Sequence, residues 1–106
     1  MKSHEFIRIA RTILEVDAQG RERAADEVTD HVAAYTSAQV SALATLLAAT
    51  AASEKGNAAL EAELHAIIEL TSTGHVRPDD LLPLREITLD DLPSQLCEYV
   101  SDLLEG

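Results

Sequence analysis

Ala and Leu supply most of the apolar side chains of this chain, and only Phe6, Tyr35 and Tyr99 are aromatic. Ala and Leu are the strongest helix formers, whereas strands draw on β-branched and aromatic residues. Only four Gly and three Pro interrupt the sequence. Together these features point to an all-α fold. At 106 residues the chain has the length of one domain with a modest core. Residues 1–106 are therefore expected to form a single-domain helical bundle of about five or six helices, given ordinary helix lengths.

Periodicity places the helices. Ser3 is a good N-cap for a first helix over 4–16, with Phe6, Ile9, Ala10, Ile13, Leu14 and Val16 on its apolar face. Asp17-Ala-Gln-Gly20 is expected to close it, with Gly20 as a left-handed cap. A second helix is expected over 22–35, where Ala25, Val28, Val32 and Tyr35 recur at helical spacing. Thr36-Ser37 caps a third over 38–54, with Val40, Leu43 and Leu47 as its stripe and many alanines around them; only this cap separates it from the second helix. Lys55-Gly56-Asn57 reads as a stop and a restart. A fourth helix over 58–72 then aligns Leu60, Leu64, Ile67, Ile68 and Thr71, and Gly74 ends it.

The last third repeats one piece of helix-start chemistry, Asp79-Asp80-Leu81-Leu82-Pro83 and Asp90-Asp91-Leu92-Pro93. With Asp80 and Asp90 as N-caps, each proline falls at the third helical position, where a missing N–H costs little. This predicts a short helix over 81–87 and a final one over 91–104 that packs Leu92, Leu96, Tyr99, Val100 and Leu103.

Charge is distributed unevenly along this scaffold. The chain holds 19 acidic and 8 basic side chains, a net of −11, and no base follows Arg85. Several acids have local explanations. Glu5, Glu22, Glu61, Asp79, Asp80, Asp90 and Asp91 fall at or near predicted helix starts, where they complement the helix dipole. Glu15 has Arg11 four residues back, and Glu27 has Arg23. Asp30, Glu63, Glu69, Glu98, Asp102 and Glu105 have no such explanation. Asp91, Glu98, Asp102 and Glu105 form a narrow stripe opposite the apolar face of the final helix, and the last three stand against its dipole.

No catalytic motif accompanies this pattern. Glu27-x3-His31 and Glu61-x3-His65-x3-Glu69 have i, i+4 spacing, unlike the Glu-x-x-His of bundle di-metal sites, and read as solvated faces. Cys97 lies at the edge of the core stripe without an oxyanion-donor motif, and reads as a structural, half-buried thiol. A single cysteine excludes an internal disulfide framework. The Asp-Ser-Leu of acyl carrier proteins is missing. A basic recognition helix is missing too, which disfavours nucleic acid as a partner. The N-terminus has no signal-peptide pattern, and the longest apolar stretch, Ala42–Ala52, is too short to span a bilayer. The chain is accordingly expected to be cytoplasmic, with no membrane partner, no metal, no cofactor and no enzymatic activity.

In size, acidity and helical content the chain resembles the immunity proteins of bacterial toxin systems. That resemblance implies an inhibitor that covers a cognate toxin, a basic and possibly nuclease domain, through an acidic helical face. The expected contact residues are Asp91, Gln95, Glu98, Asp102 and Glu105 on the final helix, with Asp26 and Asp30 as a second patch. Tyr35 or Tyr99 would supply the apolar anchor. Two other classes remain open. One is a homo-oligomeric or regulatory adaptor using the Ala/Leu surface of residues 38–52. The other is a metal-binding helical protein using the Glu/His pairs.

Overall fold

A computed structural model describes residues 1–105. Its α-helices are α1 (Ser3–Ile13), α2 (Ala18–Asp30), α3 (Ser37–Ser53), α4 (Asn57–Thr71) and α5 (Ser94–Glu105). A 3-10 turn at Val32–Ala34 joins α2 to α3, and a longer 3-10 segment, Pro78–Glu86, precedes α5. The chain is an all-α single domain, as its composition implies. Its shortest dimension, 18 Å, corresponds to about two layers of helices.

The central element is α4. Ala59, Leu60, Glu63, Leu64, Ala66, Ile67 and Leu70 are all buried along it. Helix α2 makes the most extensive contact with it, through the seam that carries Ala24, Ala25 and Val28. On its other sides α4 meets α3 and α5. Helix α3 is in turn covered by α1 and by the 3-10 segment. Small alanines at Ala24, Ala25, Ala44, Ala48 and Ala66 line these seams, and small contact residues allow short interaxial distances.

Several starts and stops depart from expectation. Helix α1 ends at Ile13, so Leu14 and Val16 lie outside the core, at 61% and 96% exposure. Asp17 does not close α1. It opens α2 as N-cap, accepting the Gly20 N–H at 3.3 Å, and Gly20 is an ordinary helical residue. Helix α2 stops at Asp30, and α2 and α3 are separate. Thr36 caps α3 through a reciprocal capping box with Gln39. Gly56 is the N-cap of α4, which begins at Asn57, one residue before the expected 58. Gly74 does follow α4 in the left-handed region, at φ 83°.

Both proline motifs act differently from the expected caps. Asp80 lies inside the 3-10 segment and is buried. Its carboxylate accepts the Arg77 N–H at 3.0 Å and the Ser41 hydroxyl at 2.8 Å, which ties the segment to α3. Burial alone would raise its pKa, but these bonds leave it below the usual range. Pro83 falls beyond the first turn, where proline cannot complete an α-helical ladder. Pro93 directly precedes α5, and its carbonyl accepts the Leu96 and Cys97 N–H groups at 3.0 and 3.1 Å. Helix α5 therefore starts three residues later than the expected 91.

Two measurements check this core. Leu64→Ala, at a fully buried position, should cost about 2–5 kcal/mol in urea unfolding. Val16→Ala, at an exposed one, should stay within about 0.5 kcal/mol of the parent.

Candidate functional site

The α2–α4 seam opens outward into a groove whose third wall is α5. Glu22, Asp26, Ala58, Glu61, Ala62, His65 and Tyr99 line it. Glu22 and Asp26 are one turn apart on α2, and Glu61 and His65 one turn apart on α4. Packing α2 along α4 brings the two ladders face to face. Ala58 and Ala62 keep the groove open between them, because a methyl group fills little space. Tyr99 is half-buried against the core, and its hydroxyl accepts from Gln95 Nε2 at 3.0 Å. No Lys or Arg lines this groove.

Asp26, Gln95 and Tyr99 thus belong to one surface, although the sequence assigned them to two patches. Glu22 and Glu61 join them. In the sequence both read as helix-start acids, and only the helix pairing reveals their common groove. The other expected contact residues are exposed but placed elsewhere. Asp91 lies in the turn before α5 and is not part of the helical stripe. Asp102 faces a different groove, which it shares with Arg77 and Arg85. The stripe is therefore not free of bases, because the fold brings two arginines to its C-terminal half. Glu98 is exposed on α5, Glu105 ends that helix, and Asp30 ends α2. Tyr35 spends its hydroxyl on the Val28 carbonyl at 3.4 Å, and burial pushes its pKa up to about 12.

The ion pairs also differ from the sequence-based pairing. Glu27 is paired with Arg8 of α1 at 2.6 Å instead of Arg23, and that bond lowers its pKa. Glu69 is 3.8 Å from His65 on a half-exposed face, as expected for a solvated pair. Among the described residues no group of three or more His, Cys, Asp or Glu converges as a metal site. None of the described helices is long and apolar enough to cross a membrane. Cys97 is half-buried, with Sγ 3.3 Å from the Leu89 carbonyl.

A second polar cluster sits behind the groove, at the α3–α4 corner. Glu54 follows α3, and its side chain is fully buried. Arg21 of α2 holds it bidentately, at 2.6 Å from Nε and 2.9 Å from Nη2. The same guanidinium donates to the carbonyls of Glu15 and Val16, at 2.8 and 2.6 Å. The Lys55 and Gly56 N–H groups also donate to Glu54, each at 3.1 Å. The Arg21 bond is the largest influence on Glu54 and holds its pKa down, to about 2.

Glu63 of α4 faces this pair. It is fully buried, and neither carboxyl oxygen meets a donor among the described residues. The sequence placed it with the unexplained surface acids. A signal for its burial was present, since Leu60, Glu63, Leu64 and Ile67 follow the i, i+3, i+4, i+7 core rhythm. Desolvation, reinforced by the neighbouring Glu54 carboxylate, pushes its pKa up to about 9. Two adjacent carboxyls cannot both ionise cheaply, and Glu63 is the one that keeps its proton.

Comparison of the chain with protein-family models, with curated proteins and with solved structures returned no match.

The lowered pKa of Glu54 has a pH signature. A carboxylate with a depressed folded-state pKa contributes stability above its unfolded value, and that contribution disappears as pH falls. Between pH 4.5 and about 2 the protein should therefore lose stability. Glu54→Gln should unfold more easily at neutral pH and show a shallower acid limb, as read by urea midpoints across that range.

Proposed function

We propose that the chain is a protein-binding inhibitor of the immunity type, which captures a basic toxin domain in the groove between α2, α4 and α5. The observation that carries this reading is the lining of that groove. Glu22, Asp26 and Glu61 converge there without an opposing Lys or Arg, beside the half-buried ring of Tyr99. The net charge of −11 adds a long-range field of the same sign.

The division of labour follows from physical chemistry. Complementary charge steers encounter and selects partners, raising association rates by ~10–10³ at low salt. Tight binding needs an anchor that excludes water, and aromatic residues fill that role most often. Tyr99 suits it better than Tyr35, because its ring lines the groove and that of Tyr35 does not. A nuclease-type toxin is basic around its nucleic-acid cleft, so this surface would occlude the cleft by occupying it. Such a mechanism needs no catalytic group or cofactor on the inhibitor, and a cytoplasmic setting suits it.

The adaptor reading has less to support it. The apolar face of α3 is covered by α1, α4 and the 3-10 segment, with Val40, Leu43, Ala44, Leu47, Ala48 and Ala51 all buried. Only small side chains such as Ala42, Thr45 and Ala49 remain exposed along it.

Charge reversal tests the proposal. Asp26→Lys combined with Glu61→Lys should leave the fold intact and slow association with a basic nuclease-toxin domain by at least about tenfold at low salt. Glu98→Lys with Asp102→Lys should have a smaller effect, because Asp102 shares its groove with Arg77 and Arg85. Capture that is unchanged by either pair and insensitive to salt would overturn the acidic-groove mechanism. Stopped-flow association measured over a salt series reads both effects.

A further inference from the structure

We infer that the α3–α4 corner is a proton-operated latch, in which a proton on Glu63 keeps the corner closed against α2 and loss of that proton opens it. The geometry leads there directly. Glu54 accepts hydrogen bonds from Arg21, Lys55 and Gly56 and has no proton of its own to offer. Glu63 lies against it from α4 with no water-exposed surface and no hydrogen-bond partner for either oxygen among the described residues. Two oxygens that only accept repel one another. The contact becomes attractive when Glu63 carries the proton and donates it to Glu54.

The surroundings allow no other way to neutralise Glu63. The charged groups that act on it are Glu54 at the end of α3 and Arg21 on α2, and among the described residues α5 contributes none. Arg21 is already committed to the Glu54 carboxylate and to two carbonyls of the α1–α2 loop. When the proton leaves, the new charge has to reach water, because an unpaired buried carboxylate is strongly disfavoured. The shortest route is displacement of the corner, Glu54 to Gly56, away from α2. Glu54 and Arg21 also wall a cleft lined by Ile13, Leu14, Leu46 and Thr50, so opening the latch widens that cleft.

The direction of the pH dependence is fixed by linkage. The folded chain holds a proton on Glu63 that the unfolded chain releases above its ordinary pKa of 4.5. Stability therefore falls as pH rises from about 4.5 to about 9, opposite in sign to the Glu54 contribution at acid pH.

The test compares the full-length protein with Glu63→Gln, a neutral side chain of the same shape that can still donate to Glu54. One linked proton corresponds to a change approaching tenfold per pH unit in the unfolding equilibrium constant. The wild type should show that extra dependence between pH 5 and 8, and Glu63→Gln should lack it. Hydrogen exchange at the Lys55 and Gly56 amides, corrected for base catalysis, should accelerate toward alkaline pH in the wild type alone. Parallel stability curves and equal exchange in the two proteins would overturn the latch. Infrared spectroscopy of the wild type gives a second reading that needs no variant. A protonated carboxylic acid at neutral pH, titrating only at alkaline pH, supports the latch, and its absence overturns it.

Discussion

The bidentate bond between Arg21 and Glu54 is the contact on which the rest of this bundle depends. It spans 33 residues of sequence and fixes four pieces of chain at once. Arg21 pins the α1–α2 loop through two carbonyls, and Glu54 pins the α3–α4 turn through the Lys55 and Gly56 N–H groups. Glu63 leans on this pair from the middle of α4. Removing Arg21 strands the buried Glu54 carboxylate, and such losses are far larger than the modest net value of an intact ion pair. The cluster thus specifies how α2 lies along α4. That placement in turn creates the outer groove, because Glu22 and Asp26 meet Glu61 and His65 only in this register.

The acidity of the chain is consequently not one property. Some carboxylates are structural. Glu27 links α2 to α1, Asp80 ties the 3-10 segment to α3, and Glu54 holds the corner. Another, Glu63, is a neutral acid inside the core. A third set, Glu22, Asp26 and Glu61, faces outward in one groove and has no internal partner among the described ion pairs. Net charge alone describes solubility and steering. Only the sorting of individual carboxylates by partner separates recognition from architecture.

The helices themselves were legible in the sequence because their signals are local. The cap at Thr36-Ser37, the core stripes of α3 and α4, and the stop at Gly74 all lie within a few residues of the feature they specify. The misplaced boundaries share a different cause. Asp17 and Gly20 look like a helix end from neighbouring residues, and the loop there is held instead by Arg21 and a distant Glu54. Asp80 looks like an exposed cap until Ser41 arrives from α3. The candidate groove was legible only in fragments. The spacing of Glu22 with Asp26 and of Glu61 with His65 is visible in one dimension, but their approach to Tyr99 depends on three helices packing together. Glu63 was hidden by the rule that an acid belongs on the surface, even though its position in the apolar rhythm contradicted it.

Helix α3 carries no charged residue over its whole length, and it lies in sequence between the two helices that pack most extensively, α2 and α4. This has a consequence for the route by which the chain assembles. The α1–α2 and α3–α4 pairs are close in sequence and close only short loops, whereas the α2–α4 seam requires the chain to loop around all of α3. Loop-closure entropy favours the local pairs first. Until the seam closes, α3 offers no charge to misdirect its partner helices, and its hydrophobic surface can accept them without a fixed register. The Arg21–Glu54 bond joins α2 to the far end of α3, so it belongs with closure of that long-range seam and not with the local pairs.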